Sequence, residues 1–169
     1  MITFLDYNQY YNECLRYAVA KYVLGTNSMI DKDLAYLSAV HLMQQSDYHS
    51  SWGDAEMERC IIPPIEMGQY VLGYNENAKI AEPYIFATYA FPEQSHIDEY
   101  LSTRMFPKDG FSGKGDDPWV VDFICLSGIR NVLGAVRYMK SMFVDLGYNN
   151  AHWLRTVTNR RGWHVTRGV

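Results

Sequence analysis

The sequence predicts an α/β protein of the α+β kind, in which a mostly antiparallel sheet is flanked by helices. Apolar residues recur at helical spacing over residues 4–24, from 31 to about 45, and over 131–146. Strand-like runs bounded by glycine, proline and asparagine fill much of the chain between residues 59 and 126. The order is therefore helix, helix, hairpin strands, central strand, helix and last strands, with one strand–helix crossover.

The first part of the chain is predicted to be a helical extension that precedes a single domain. Residues 1–30 form the extension and residues 31–169 the domain, a length that suits one hydrophobic core. The helix over 4–24 ends at the breaker sequence Gly25-Thr26-Asn27-Ser28.

A second helix is predicted to lead directly to the residues of chemical interest. It begins at Asp31, a good N-cap residue, and ends near Gln45–Tyr48. Ser46 and His49 are therefore expected at its C-terminal exit.

The middle of the chain predicts strands and loops. Arg59–Pro64 is predicted to be a short strand closed by its prolines, and Gln69–Tyr74 and Tyr84–Ala90 to pair as a hairpin. Ile97–Phe106 fits either a short helix or an irregular segment. Lys108–Asp117 is predicted to be a polar, glycine-rich loop in contact with solvent.

The most distinct strand is Trp119–Leu126, whose nearly continuous apolar run predicts a central position. A helix follows from about Asn131 to Leu146, and Gly147 suits its C-terminal end. The tail adds one or two strands around residues 152–155 and 163–165. The core stripe of the helix is Val132, Ala135, Val136, Met139 and Phe143.

Charge and cysteine content exclude several classes of protein. The net charge of −4 argues against broad nucleic-acid binding, which depends on neutralising phosphates. Basic residues do gather late in the chain, where a local site for an anionic partner remains open: Arg155, Arg160, Arg161 and Arg167. Three widely spaced cysteines predict reduced thiols in a cytoplasmic protein rather than a disulfide framework. No apolar run is long enough to span a membrane, and no histidine spacing predicts a metal site.

Two segments carry side chains suited to activating a nucleophile. Ser46, His49 and Trp52 follow the second helix at three-residue intervals, and Asp122 interrupts the apolar central strand. An imidazole changes charge near neutral pH, and a carboxylate can orient it and balance its charge. Burying Asp122 is costly unless it is hydrogen-bonded, so it either binds backbone amides or an arginine, or it orients the imidazole of His49.

These motifs, in this order, resemble the RTX toxin-activating lysine acyltransferases over about residues 34 to 165. The family's Ser-x-x-His-x-x-Trp motif is similar to Ser46, His49 and Trp52. Further elements of the resemblance are Ile62-Pro63-Pro64-Ile65, Gln69-Tyr70, Trp119-x-x-Asp122-Phe123-Ile124, Gly128 and Arg137-Tyr138-Met139.

The resemblance implies a GNAT-like fold and a chemistry. A fatty acyl group would pass from acyl carrier protein to a lysine of a protein substrate, with no tightly bound cofactor. The resemblance gives His49 and Asp122 catalytic roles and implicates Ser46. It also implies a homodimer.

The segment after the central strand bears on the acyl donor. GNAT enzymes bind coenzyme A at a glycine-containing turn there, where a helix N-terminus holds the pyrophosphate. The corresponding residues here are Gly128, Arg130, Asn131 and Gly134, a degenerate version that favours acyl carrier protein over acyl-coenzyme A. Two alternatives stay open: an acetyl-coenzyme-A N-acetyltransferase, and a non-catalytic interaction protein that retains only the fold.

Overall fold

The computed structural model describes residues 32–75, 82–126, 128–157 and 160–169. The predicted helix over residues 4–24 and the boundary at residue 30 lie outside them. The described α-helices are α1 (Lys32–Gln44), α2 (Asp54–Cys60), α3 (Ile62–Met67), α4 (Gln94–Thr103) and α5 (Gly128–Asp145), with a 3-10 helix at Lys108–Ser112. The strands are β1 (Tyr70–Asn75), β2 (Glu82–Ala90), β3 (Trp119–Cys125), β4 (Asn150–Val157) and β5 (Arg160–Gly168).

The five described strands form one sheet in the order β1-β2-β3-β4-β5. Every neighbouring pair is antiparallel except β3 and β4, which are parallel and joined by α5. A parallel pair requires such a crossover, because the chain must return to the same end of the sheet. The structure confirms the α+β class, the central position of β3 and the pairing of β1 with β2. The architecture agrees with the GNAT-like fold that the resemblance implies.

The parallel pair is short. Only Trp119 with His152 and Val120 with Trp153 are in register, although both strands continue for several residues. Beyond these two pairs, β3 and β4 no longer pair with each other. A gap therefore opens in the sheet next to the middle of β3.

Different helices cover the two faces of the sheet. Phe86 and Ile124 share a cluster with the buried side of α1, whereas Ala87 and Phe123 pack with α5. Side chains of successive strand residues point to opposite faces, so α1 and α5 lie on opposite sides of the sheet. Thr88 is two residues from Phe86, and Asp122 is two residues from Ile124. The side chains of the cross-strand pair Thr88 and Asp122 therefore point to the α1 face.

A β-bulge interrupts β3 next to Asp122. Thr88 pairs with Asp122 and Tyr89 with Val120, which leaves Val121 as an extra residue on β3. Both Val121 and Asp122 are buried. A bulge re-aims the side chains beside it, and bulges are frequent next to active sites.

The predicted strand over Arg59–Pro64 is wrong. These residues end α2 and begin α3, with the prolines in the first turn of α3. Proline suits that position, because its missing N–H would have no partner inside the helix. Gly68 ends α3 with φ of 71°, a conformation that glycine adopts at no steric cost.

The glycine-rich loop is packed against the protein rather than simply solvated, which corrects its prediction. Phe111 in its 3-10 helix is fully buried. The Gly115 N–H donates to the Phe91 carbonyl at 2.7 Å, and a Cβ on Gly115 would meet the carbonyl oxygen of Pro92. The glycine therefore allows two stretches of backbone to approach closely.

Two helix predictions are refined. The segment that fitted either a helix or an irregular stretch is α4, which begins at Gln94 and buries Tyr100. The helix after β3 starts at Gly128 rather than Asn131.

Within the described ranges, no helix combines the length and the apolar character needed to cross a membrane.

Candidate active site

The turn that leaves α1 brings Ser46 and His49 together. The His49 N–H donates to the Ser46 carbonyl at 3.0 Å, and the Trp52 N–H donates to the His49 carbonyl at 3.0 Å. Such consecutive turns stack side chains that lie three residues apart. Ser46 Oγ and His49 Nδ1 are 2.8 Å apart, within hydrogen-bond distance.

The His49 ring is held in an aromatic surrounding. The rings of Tyr48 and Trp52 each lie 4.7 Å from it between centroids, both in edge-on arrangements. His49 is only 5% exposed. Packing and the Ser46 hydroxyl therefore fix the ring in one orientation, with Nε2 on the side away from Ser46.

Nε2 of His49 faces the carboxylate of Asp122, the partner that the sequence predicts for it. Nε2 of His49 lies 3.5 Å from Oδ1 of Asp122, and both side chains are almost fully buried. Charges in such a setting interact strongly, because little water screens them. The structure thus brings the three predicted residues together: Ser46, His49 and Asp122.

Asp122 is also tied to the neighbouring strand. Its backbone N–H donates to Oγ1 of Thr88 at 3.2 Å, inside the protein. Thr88 is fully buried and lies directly opposite Asp122 in the sheet.

A cavity of about 490 Å³ begins at His49 and Asp122 and extends along α5. This volume is in the range of pockets that enclose a small ligand. Its walls come from both faces of the sheet, since His49 lies on the α1 face and Val132, Val136 and Met139 belong to α5. The lining is mainly apolar, with three cationic side chains: Lys140, Arg155 and Arg167.

The residues predicted to hold the acyl donor lie at the start of α5, outside this cavity lining. Gly128 begins the helix with φ of 55°, and Arg130, Asn131 and Gly134 are exposed. None of them contributes to the wall next to His49. Val132 and Val136, one turn apart on the same helix, do line it.

A second histidine cluster lies away from His49. His152 and His164 both stack on Trp119, and His152 Nε2 lies 3.2 Å from the Asp117 carboxylate. Burial and the neighbouring His152 lower the pKa of His164 below its ordinary value of 6.5. Within the described part of the chain, no group of three or more His, Cys, Asp or Glu side chains suits a metal ion.

Two features of the site are not among the sequence-based predictions. The sequence places Thr88 only within a strand, because the register between β2 and β3 cannot be counted from one chain. Tyr48 stood inside the serine–histidine motif, but nothing in its spacing predicted contact with the His49 ring. A polar residue at the centre of an apolar strand, as Thr88 is in β2, is the signal that points to such a contact.

The geometry agrees with the comparison with known proteins. Residues 31–156 match the HlyC family, described as the RTX toxin acyltransferase family. A comparison with curated proteins finds none that matches the chain. The matched segment contains α1, the motif after it, the sheet up to β4 and the whole of α5. The chain belongs to the RTX toxin acyltransferase family and is an acyltransferase.

Proposed function

We propose that the chain moves a fatty acyl group from acyl carrier protein to a lysine side chain of a protein substrate. The family points to an RTX toxin as that substrate. The observation that carries the proposal is the 3.5 Å contact between His49 and Asp122 at the wall of the cavity.

The first step is removal of a proton from the acceptor lysine. A lysine amine has an ordinary pKa of about 10.4 and is mostly protonated at neutral pH, so it is a poor nucleophile until it loses a proton. His49 is the general base. We assign the Nδ1 proton of His49 to the bond with Ser46 Oγ, which leaves the lone pair on Nε2; the proton taken there is then 3.5 Å from the Asp122 carboxylate. The carboxylate stabilises the resulting imidazolium.

The second step forms the amide. The lysine nitrogen bonds to the thioester carbonyl carbon, and the carbonyl oxygen carries negative charge in the tetrahedral intermediate. The carbon–sulfur bond then breaks, and the carrier leaves as a thiolate that takes up a proton. His49 supplies that proton and returns to its neutral form, while the nitrogen of the new amide, which still carries the second proton of the former amine, releases that proton to solvent.

The cavity has the composition that an acyl thioester requires. Its apolar walls on β3 and α5 suit a fatty chain, whose burial is favourable in proportion to its apolar area. The cationic side chains of Lys140, Arg155 and Arg167 suit the phosphate of the carrier's pantetheine arm. The phosphate lies at the carrier end of the arm, so these three side chains mark the entry, and Arg130 at the exposed start of α5 is left to contact the acidic surface of the carrier. We propose no tightly bound cofactor.

The two alternatives differ in what they require of the site. A non-catalytic interaction protein would have no reason to hold His49 against Asp122, so their separation of 3.5 Å opposes it. An acetyl-coenzyme-A enzyme would use Gly128–Gly134 for the pyrophosphate and would not depend on His49. Comparing acyl carrier protein with acyl-coenzyme A as donor therefore separates the two enzymes.

The test is the variant His49→Ala, incubated with acyl-loaded carrier protein and a protein acceptor. We expect acylated lysine, mapped by mass spectrometry, to form about 10²- to 10⁴-fold more slowly, which is the usual contribution of a general base. His96→Ala is the matched control, because His96 also faces a carboxylate, 3.6 Å away on Asp109, but neither of these residues lines the cavity. Wild-type rates in a folded His49→Ala protein would refute the proposed function.

The assembly and location are part of the same proposal. We propose a cytoplasmic homodimer, to be checked by sedimentation of the full chain. Acyl carrier protein is then available as a soluble donor in the same compartment.

A further inference from the structure

Thr88 is a buried hydroxyl that does not belong to the motifs of the active site. It is fully buried on β2, with apolar neighbours on either side along the strand. A hydroxyl in such a place is costly unless it is hydrogen-bonded. Its contact is the backbone N–H of Asp122, 3.2 Å away.

This bond lies at the bulge in β3. Val121 is an extra residue on β3, so the ladder between β2 and β3 shifts register between Thr88 and Tyr89. At a bulge, the regular exchange of backbone hydrogen bonds is disrupted. The Asp122 N–H comes immediately after the extra residue, and the Thr88 side chain supplies an acceptor for it.

We infer that Thr88 is a positioning residue for acyl transfer: its hydroxyl fixes the backbone of Asp122 at the bulge and so sets where the carboxylate meets Nε2 of His49. The inference rests on the proposed roles of His49 and Asp122. Thr88 acts only through Asp122, because its described hydrogen bond is to the main chain and it does not line the cavity.

A small displacement of the Asp122 carboxylate would change its contact with His49. The carboxylate lies 3.5 Å from Nε2, at the outer limit of a direct interaction, so any retreat of Asp122 weakens its contact with the imidazolium. A misplacement of about 1 Å can cost about 100-fold in rate. Loss of the hydroxyl is therefore expected to act on the chemical step rather than on substrate binding.

The experiment compares Thr88→Val, which keeps the side-chain shape but removes the acceptor, with Thr88→Ser, which keeps the hydroxyl. Thr88→Cys is a second variant with only a weak acceptor, should the valine protein not fold. Ser38→Ala is the matched control, because it removes another buried hydroxyl, bonded to Tyr74 at 2.9 Å, away from Asp122.

We expect kcat to fall about 10- to 100-fold in Thr88→Val with KM unchanged, and to stay near the wild-type value in Thr88→Ser and Ser38→Ala. Wild-type kcat in Thr88→Val, or an equal loss in Thr88→Ser, would overturn the inference. Asp122→Asn and His49→Ala are measured alongside. If these two also keep full activity, it is the proposed function that fails.

An NMR measurement decides the positioning role without any assay of activity. We expect the amide signal of Asp122 and the ring signals of His49 to shift in Thr88→Val and Thr88→Cys, and to stay in place in Thr88→Ser and Ser38→Ala. Unchanged His49 ring signals in a folded valine variant would show that Thr88 does not position Asp122, whatever the protein's activity.

Discussion

At the scale of single residues, the sequence was most informative where the relevant contacts are short-range. Ser46 and His49 are three residues apart, and a turn at the end of a helix brings such a pair into contact. Asp122 was conspicuous because a carboxylate is rare in a buried strand. Thr88 completes this environment through a partner 34 residues away, and nothing in a single chain reports that distance. The catalytic roles of these residues stay predictions.

The histidine stacked on Trp119 gives a prediction for the pH dependence of stability. Because the pKa of His164 is lowered in the folded protein, the unfolded chain binds a proton there more readily. The contribution of neutral His164 to the free energy of unfolding is therefore complete above its ordinary pKa of 6.5. It is lost as the pH falls below that value. We expect the free energy of unfolding, measured in urea, to decline between about pH 8 and pH 5.

The variant His164→Gln should make this decline shallower. The free energy of unfolding of the variant should still decrease somewhat as the pH falls, since burial also lowers the pKa of His41. Glu82 partly opposes that effect on His41. An identical pH profile in the variant and the wild type would mean that His164 does not contribute.

At the scale of secondary-structure elements, periodicity predicted α1, α5 and the strands well, and proline and glycine were the sources of error. At Pro63 and Pro64 the sequence predicts the end of a strand, yet proline is also well tolerated in the first turn of a helix such as α3. The glycines of the loop before β3 predict a solvated turn. Gly115 is needed instead for close packing against Pro92, and a composition-based prediction cannot distinguish the two.

The packing of this loop can be tested by adding one methyl group. Gly115→Ala places a Cβ against the backbone carbonyl of Pro92, which cannot move as easily as a side chain. We expect a loss of about 1–3 kcal/mol in the free energy of unfolding, the usual cost of overpacking.

Gly134→Ala is the counterpart, because a Cβ there meets nothing within 4 Å and the residue lies inside α5. We expect it to stabilise the protein by about 0.5–1 kcal/mol, since alanine favours a helix over glycine. Equal effects of the two variants in chemical denaturation would contradict the packing described for Gly115.

At the scale of the whole molecule, the order of elements was sufficient to predict the class of fold and the central strand. It did not give the bulge at Val121 or the early separation of β3 from β4, because both depend on pairing between distant segments. Both irregularities lie beside the site. The bulge adjoins Asp122, which faces His49, and β3 separates from β4 where the cavity has walls on both faces of the sheet.

The role of this cavity is tested by narrowing it. Val136→Phe adds bulk to its α5 wall, and Leu133→Phe adds a similar ring to the exposed side of the same helix. If the cavity holds the acyl chain, the first variant should raise the KM for a long-chain donor about 10-fold or more, with a smaller effect on a short-chain donor. Leu133→Phe should leave the KM for the long-chain donor and for the short-chain donor unchanged. Equal KM values for all three proteins would show that the chain binds elsewhere.

The brief pairing of β3 with β4 also has a mechanical consequence. The last two strands are joined to the rest of the sheet by two register pairs, by the packing of α5 and by the stacking of His152 and His164 on Trp119. Local opening of this short junction costs less free energy than unfolding the whole domain, so we expect the backbone amides of the β3–β4 pair to exchange with solvent before those of the β2–β3 ladder.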